Sequence, residues 1–134
     1  MILRVRFAET DQMGIAHHSA FVVWFEVGRV EWLRERGLAY RRLEEEGVSL
    51  SVSELRVSYR RAVRFDDELD LETRMVALRS RGCSFDYVLR NLETGAVAAR
   101  AESHHVAIVR DGRAARIPPT WLERLRRAMA DEAS

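Results

Sequence analysis

The segment SAFVVWFEVGRVEWLRERG, residues 19–37, decides the fold of this 134-residue chain. Its pattern predicts one helix over residues 19–36, and Gly37 stands where a glycine commonly ends a helix. Apolar side chains cover most of the first half of this helix, and a helix that is apolar on nearly all sides belongs inside a protein. The segment therefore predicts a long central helix that the rest of the chain must cover.

The remaining segments predict the sheet that covers this helix. A short helix is expected over residues 39–46, and alternating apolar and polar residues then indicate strands. The strands are predicted at residues 2–8, 48–59, 69–78, 84–91 and 97–109, with a strand fragment at 114–117 and a final helix capped by Thr120. This order predicts a single α+β domain, residues 1–134, in which an antiparallel sheet wraps around the central helix.

The composition excludes several classes of function. The chain is 47% hydrophobic and 32% charged with a net charge of +1, and it lacks the basic patch of a nucleic-acid-binding protein. All 22 basic residues are arginine, which excludes lysine Schiff-base chemistry. The single cysteine, Cys83, cannot form an internal disulfide, and no apolar run is long enough to span a membrane. We therefore expect a cytoplasmic protein that binds neither nucleic acid nor membranes.

The segment AETDQMGIAHH, residues 8–18, places an acid, a glycine and two histidines directly before the long helix. Asp11 offers a carboxylate, and the free N–H groups of a helix starting near His18 offer a positive end. Hydrolysis of a thioester requires a base or nucleophile at the carbonyl carbon and a donor at the carbonyl oxygen. Gly14 lets the backbone approach a substrate closely. From the pattern alone, however, the commoner role of an aspartate after a strand is to cap a turn.

Two longer segments carry a resemblance to a known family. The segments ETDQMGIAHHSAFVVWFEVGRVEWLRERG and SYRRAVRFDDELDLETR resemble the hotdog-fold acyl-CoA thioesterases of the 4-hydroxybenzoyl-CoA thioesterase-like branch. The matching positions are Asp11, Gly14, Ile15, His18, Glu26 and Arg29. His17, Phe21 and Arg61 depart from the family, which usually has Tyr, Tyr and Pro at these positions.

The resemblance implies an acyl-CoA thioesterase without a cofactor or a metal. Asp11 would be the catalytic carboxylate, either as a general base or as a nucleophile, and the backbone N–H of His18 would polarise the carbonyl. Since ligand pockets are mostly apolar, the acyl group is expected to contact hydrophobic residues near this loop. The candidate substrate-binding residues are Gly14, Ile15, Phe21, Phe25, Tyr59 and Arg61.

Partners and assembly follow from the same resemblance. The acyl carrier is expected to be coenzyme A, with an acyl carrier protein as a variant. A lone sheet of this kind leaves a long strand edge, and such edges tend to pair. We therefore expect a homodimer or a homotetramer, with the sites at a subunit boundary.

Two other functions stay open. A hotdog dehydratase or hydratase would carry its critical acid on the helix, at Glu26, although Glu26 is expected to form an ion pair with Arg29, at i,i+3 spacing, or with another arginine. A non-catalytic protein that binds acyl thioesters is the second alternative. A metal site shared by His17–His18 and His104–His105 is not expected, because successive strand residues point to opposite faces. Cys83 has no histidine near it in sequence, so a Cys–His mechanism is not expected either.

Overall fold

The computed structural model describes residues 1–133, so Ser134, the last residue of the predicted domain, lies outside it. Five antiparallel strands form one sheet in the order β1-β3-β4-β5-β2. The elements are β1 (Ile2–Arg4), α1 (His18–Glu35), α2 (Tyr40–Glu45), β2 (Val48–Tyr59), β3 (Glu68–Arg79), β4 (Gly82–Asn91), β5 (Val97–Val109) and α3 (Pro119–Ala133), with a short 3-10 turn at Phe7–Glu9. The predicted α+β class, the long helix and the four long strands are confirmed.

The first strand is shorter than predicted. It ends at Arg4, and the following residues form a 3-10 turn instead of continuing the alternation to residue 8. The Glu9 carboxylate accepts the N–H of Arg6 at 2.8 Å, and the Thr10 hydroxyl donates to the carbonyl of Phe7 at 2.7 Å. These local bonds favour a turn over a strand, and they leave the Phe7 side chain 76% exposed.

The C-terminal predictions are wrong in two details. Residues 114–117 form no strand, because Ala114 makes only an isolated bridge to Ile108. Helix α3 begins at Pro119, since a proline is well suited to the first position of a helix. Thr120 therefore lies inside the first turn and does not cap the helix.

One face of α1 packs tightly on the sheet. Its buried residues are Ala20, Phe21, Trp24, Phe25, Gly28, Trp32 and Leu33. Gly28 permits the close approach, because a Cβ atom there would lie 2.6 Å from Thr73 Oγ1 and 2.7 Å from Leu71 Cδ2. The buried apolar residues of α1 join those of the sheet and α3 in one core.

The opposite face of α1 is exposed. Val22, Val23 and Val27 are 38%, 50% and 44% exposed. The expectation of a helix buried on nearly all sides is therefore wrong for the single chain, because one sheet covers only one face of it. In residues 1–133, no helix is both long enough and apolar enough to cross a membrane.

Candidate active site

A tight loop over residues 10–16 precedes α1. It closes through the N–H of Asp11, which donates to the Ile15 carbonyl at 2.9 Å, and the N–H of Gly14, which donates to the Asp11 carbonyl at 3.0 Å. Gly14 has a φ of +75°, a conformation that glycine adopts without strain. The N–H of Ala16 donates to Val63 at 2.9 Å, which ties the loop to the segment between β2 and β3. The backbone around Asp11 is therefore held on both sides.

The Asp11 carboxylate is exposed and partly engaged. Its Oδ1 accepts the N–H groups of Met13 at 2.8 Å and Ile15 at 3.1 Å. These bonds, led by the one from Ile15, lower the pKa of Asp11, and the charges of His17 and Arg64 lower it further. Within residues 1–133, Oδ2 receives no hydrogen bond from the protein. Asp11 is thus ionised at neutral pH, with one oxygen fixing the loop and the other exposed to solvent.

The start of α1 lies next to this loop. His17 is the N-cap residue but caps the helix with no side-chain hydrogen bond, and its N–H donates to the Glu9 carbonyl at 2.9 Å. In the described part of the chain, the N–H groups of His18 and Ser19 bind no acceptor outside the helix. Free N–H groups at a helix start bind and stabilise negative charge.

Glu9 fastens the loop to the helix, a role that the sequence analysis missed. Its carboxylate accepts the indole N–H of Trp24 at 2.8 Å as well as the N–H of Arg6. This role could have been predicted from the spacing of Arg6 and Glu9, because an acid three residues after the start of a turn can accept a hydrogen bond from the backbone there.

Aromatic residues surround the first turn of α1. The rings of His18 and Tyr59 stack at 3.9 Å, and the Tyr59 hydroxyl donates to the His18 carbonyl at 3.2 Å. Phe21 meets the Tyr59 ring edge-on at 5.1 Å, and burial raises the pKa of Tyr59. A cavity of about 200 Å³ opens here. Its lining residues are Ile15, Ala16, His18, Phe21, Tyr59, Arg60, Arg61 and Ala62.

The structure thus brings most of the predicted site residues together. Five of the eight predicted residues line this cavity, whereas Asp11 and Gly14 lie in the preceding loop and outside its lining. Phe25 lies in neither place, because its side chain is fully buried and packs on Tyr87 at 4.9 Å. Arg61 is exposed at the cavity, and no carboxylate of residues 1–133 lies within 4.0 Å of its guanidinium.

A larger cavity of about 390 Å³ lies beside the second half of α1, and the sequence analysis missed it. Arg29 lines it and donates to the Tyr87 hydroxyl at 3.1 Å. The predicted ion pair with Glu26 is absent from the described residues, because the guanidinium is drawn to this buried hydroxyl instead. Glu26 also lines the cavity, from an exposed position.

A chain of buried polar groups continues from Arg29 into the sheet. The Tyr87 hydroxyl lies 2.6 Å from Ser103 Oγ, which lies 2.7 Å from His105 Nε2. Burial lowers the pKa of His105 to about 4, so the ring is neutral at pH 7. Ser103 and His105 are almost completely buried, so this pair is no accessible nucleophile and base. Their i,i+2 spacing on one strand face is the signal that could have paired them.

His104 and His105 lie on opposite faces of the sheet, and Cys83 is the cross-strand neighbour of His105. His104 contacts Ser84 at 2.8 Å while His105 contacts Ser103, so the two rings lie on opposite faces of the sheet as predicted. In residues 1–133, no three His, Cys, Asp or Glu side chains cluster as metal ligands would. Cys83 lies directly opposite His105 in the register of β4 and β5. The two residues are far apart in sequence, so the sequence analysis did not foresee this neighbour. Burial raises the pKa of Cys83 to about 12, so it stays a protonated thiol.

The antiparallel sheet packed on one long helix is the architecture of the hotdog fold. The model of the thioesterase-like superfamily matches residues 5–125. The chain belongs to the thioesterase-like superfamily, and the predicted hotdog fold is confirmed.

Known proteins agree with this assignment. The acyl-CoA thioester hydrolase YbgC of Escherichia coli O157:H7 is 30% identical over 91 residues, which cover 68% of each chain. The crystal structure of the hypothetical protein TT1821 from Thermus thermophilus has a TM-score of 0.86 at 36% identity, covering 95% of this chain and 98% of that one. The DHNA-CoA thioesterase from Staphylococcus aureus has a TM-score of 0.91 at 25% identity, covering 100% and 93% of the two chains.

Proposed function

We propose that this chain hydrolyses acyl-CoA thioesters at the Asp11 loop, as a single hotdog domain in the cytoplasm. The proposal rests on two neighbouring features of the sequence. Asp11 is an ionised carboxylate with one free oxygen, and the start of α1, a few residues later, has free N–H groups. The names of the relatives support coenzyme A as the carrier. The exposed, unpaired Arg61 supports it too, since a guanidinium suits the phosphates of a nucleotide.

In the proposed reaction, the thioester carbonyl oxygen accepts the N–H of His18, which stabilises the negative charge that develops on this oxygen. Asp11 Oδ2 then acts in one of two ways. As a general base it takes a proton from water, which attacks the carbonyl carbon and expels the thiolate. As a nucleophile it attacks the carbon itself and expels the thiolate, and water then hydrolyses the resulting anhydride.

Gly14 and Tyr59 hold these groups in place. The Gly14 turn fixes the loop, and Tyr59 fixes the first turn of α1 through its bond to the His18 carbonyl. The His18 imidazole stacked on Tyr59 and the neighbouring Ile15 and Phe21 form the apolar wall against which the acyl group starts.

We propose further that the chain acts as a homodimer, alone or paired into a tetramer. Strand β2 is a sheet edge of 12 residues, and long free edges tend to pair. The exposed valines of α1 would gain cover from a second copy. The sites would then lie near the subunit boundary.

The direct test mixes purified protein with a panel of acyl-CoAs and a thiol-trapping dye. We expect release of coenzyme A from uncharged acyl or aryl thioesters, at higher kcat/KM than from succinyl- or malonyl-CoA. Acyl carrier protein thioesters in a parallel series identify the preferred carrier. Binding of acyl-CoA without thiol release would support the non-catalytic alternative and overturn the proposal, as would dehydration of 3-hydroxyacyl-CoA in place of hydrolysis.

A further inference from the structure

The cavity beside the second half of α1 has an unusual polar wall. Arg29 is half-buried there, and no carboxylate of residues 1–133 lies within 4.0 Å of its guanidinium. One N–H group donates to the Tyr87 hydroxyl at 3.1 Å, while a guanidinium carries five N–H donors. Buried donors require acceptors, so the remaining donors are available to a ligand or to water in the cavity.

The buried chain behind Arg29 holds it in place. Since His105 is neutral, one ring nitrogen donates and the other accepts. Its Nε2 lies 2.7 Å from Ser103 Oγ, and Ser103 Oγ lies 2.6 Å from the Tyr87 hydroxyl. The Tyr87 oxygen accepts from Arg29 at 3.1 Å. A guanidinium only donates hydrogen bonds, so Arg29 is the donor at the cavity end of this chain of contacts.

The charge of the cavity limits what it can bind. Glu26 and Glu44 also line it, both from exposed positions, whereas Val30, Leu33 and Phe85 supply apolar walls. Two carboxylates at the mouth repel an anion, so Arg29 favours an uncharged acceptor such as a hydroxyl or a carbonyl. A volume of about 390 Å³ is within the range of small-ligand pockets.

The position of the cavity points to the neighbouring copy. Along α1, Arg29 lies 11 residues after His18, or about 16 Å, which is far from the Asp11 loop of the same chain. Leu50, near the start of β2, lines the cavity, while Tyr59 at its end contacts His18. Antiparallel pairing of two β2 edges sets the end of one strand against the start of the other. Each Asp11 loop would therefore face the cavity of the partner.

We infer that this cavity receives the far end of the acyl group whose thioester lies at the Asp11 loop of a second copy, and that Arg29 selects acyl groups ending in an uncharged hydrogen-bond acceptor. This inference rests on the proposed function and on the β2-paired dimer. Arg29 is then a specificity-determining residue supplied by the partner. It acts by donating to the substrate, and it takes no part in the hydrolysis.

The first test compares acyl-CoAs of equal chain length with and without a terminal hydroxyl. Because a site built to donate to a hydroxyl rejects the analogue that lacks it, the wild type should prefer the hydroxylated member of a pair by roughly tenfold or more in kcat/KM. Arg29→Met should bring this ratio close to one, and Arg29→Gln, which keeps N–H donors, should retain part of it. Arg74→Met, on the exposed face of β3, is the matched control and should keep the wild-type ratio.

A wild type without this preference at every chain length, or an Arg29→Met variant with the wild-type ratio, overturns the inference. The proposed function is tested separately, because Asp11→Asn should reduce hydrolysis of both members of a pair. If Asp11→Asn is inactive while Arg29→Met keeps the ratio, only the inference fails.

Mixed dimers test the contribution in trans. Co-expressed Asp11→Asn and Arg29→Met chains give heterodimers in which one site combines an intact Asp11 with an intact Arg29 of the other chain. With random pairing, hydrolysis of the hydroxylated substrate should recover to about a quarter of the wild-type rate. Recovery no greater than the sum of the separate variants would show that the cavity does not serve the partner's site, and the inference would fail.

Discussion

The surroundings of the two halves of α1 differ in how their polar groups are hydrogen-bonded. At the first turn, the N–H groups of His18 and Ser19 and one oxygen of Asp11 have no partner in the described chain. In the second half, the polar groups from Tyr87 to His105 are bonded to one another and buried. Unpaired, exposed groups are available for chemistry, whereas paired, buried groups fix a geometry. The comparison assigns reaction to the first half and stability and selection to the second.

Disruption of assembly should have the largest effect, because it would affect both halves of α1 at once. Val23→Glu combined with Val27→Glu places two charges on the exposed face of the helix, and burying unpaired charge is costly. We expect light scattering to report a monomer and hydrolysis to be lost with the partner. Val106→Glu, an exposed valine on β5, should keep the assembly. A wild type that is monomeric at micromolar concentration would contradict the proposed dimer.

Acid should lower the free energy of unfolding through His105, which lines the cavity beside the second half of α1. The pKa of His105 is about 4 in the folded chain because burial disfavours its charge, while an unfolded histidine titrates near 6.5. The unfolded state therefore binds the proton first as pH falls. Stability should be full above pH 6.5 and fall between pH 6.5 and 4, by about 3 kcal/mol from this residue. Urea unfolding at several pH values measures this slope.

His105→Gln removes the titrating group and serves as the control for that slope. The variant should show a shallower loss of stability over the same pH range. An identical slope in the two proteins would mean that another group causes the acid sensitivity.

A single hydroxyl deletion should give a smaller effect. Ser103→Ala leaves the Tyr87 hydroxyl and His105 Nε2 without their shared partner in a buried place. We expect a loss of about 2 kcal/mol in the free energy of unfolding, the usual cost of an unsatisfied buried group. Ser84→Ala is the matched control. Ser84 is itself buried, but the group that it leaves without a partner is the ring of the half-buried His104, which water can reach. Equal losses in the two variants would contradict the prediction, which depends on the burial of the groups left without a partner.

Local patterns predicted the first half of α1 better than the second. His18 and Tyr59 stand at the start of a helix and at the end of a strand that periodicity and the family motif located, so their contact was foreseeable. Arg29 was assigned to Glu26 by i,i+3 spacing, but its actual partner Tyr87 is 58 residues away. That contact depends on how β4 packs beneath α1, which no local pattern specifies. Phe25 was placed in the pocket for its type and spacing, yet it turns into the core.

The sequence left two roles open for Asp11, a turn cap and a catalytic carboxylate, and its hydrogen bonds are compatible with both. Oδ1 holds the turn, as the commoner role of such an aspartate requires, and Oδ2 stays free. An experiment on this residue must therefore separate the turn from the charge.

Asp11→Asn makes that separation and is the most direct test of the central claim. Asparagine keeps an Oδ1 that accepts the N–H groups of Met13 and Ile15, so the melting temperature should stay close to that of the wild type. Loss of the carboxylate should lower kcat by roughly 10²–10⁴. Glu26→Gln, measured beside it, should be the milder change, since a dehydratase-like site would place the critical acid there. Wild-type kcat in Asp11→Asn, or a loss fully accounted for by unfolding, would contradict the claim that Asp11 performs the hydrolysis.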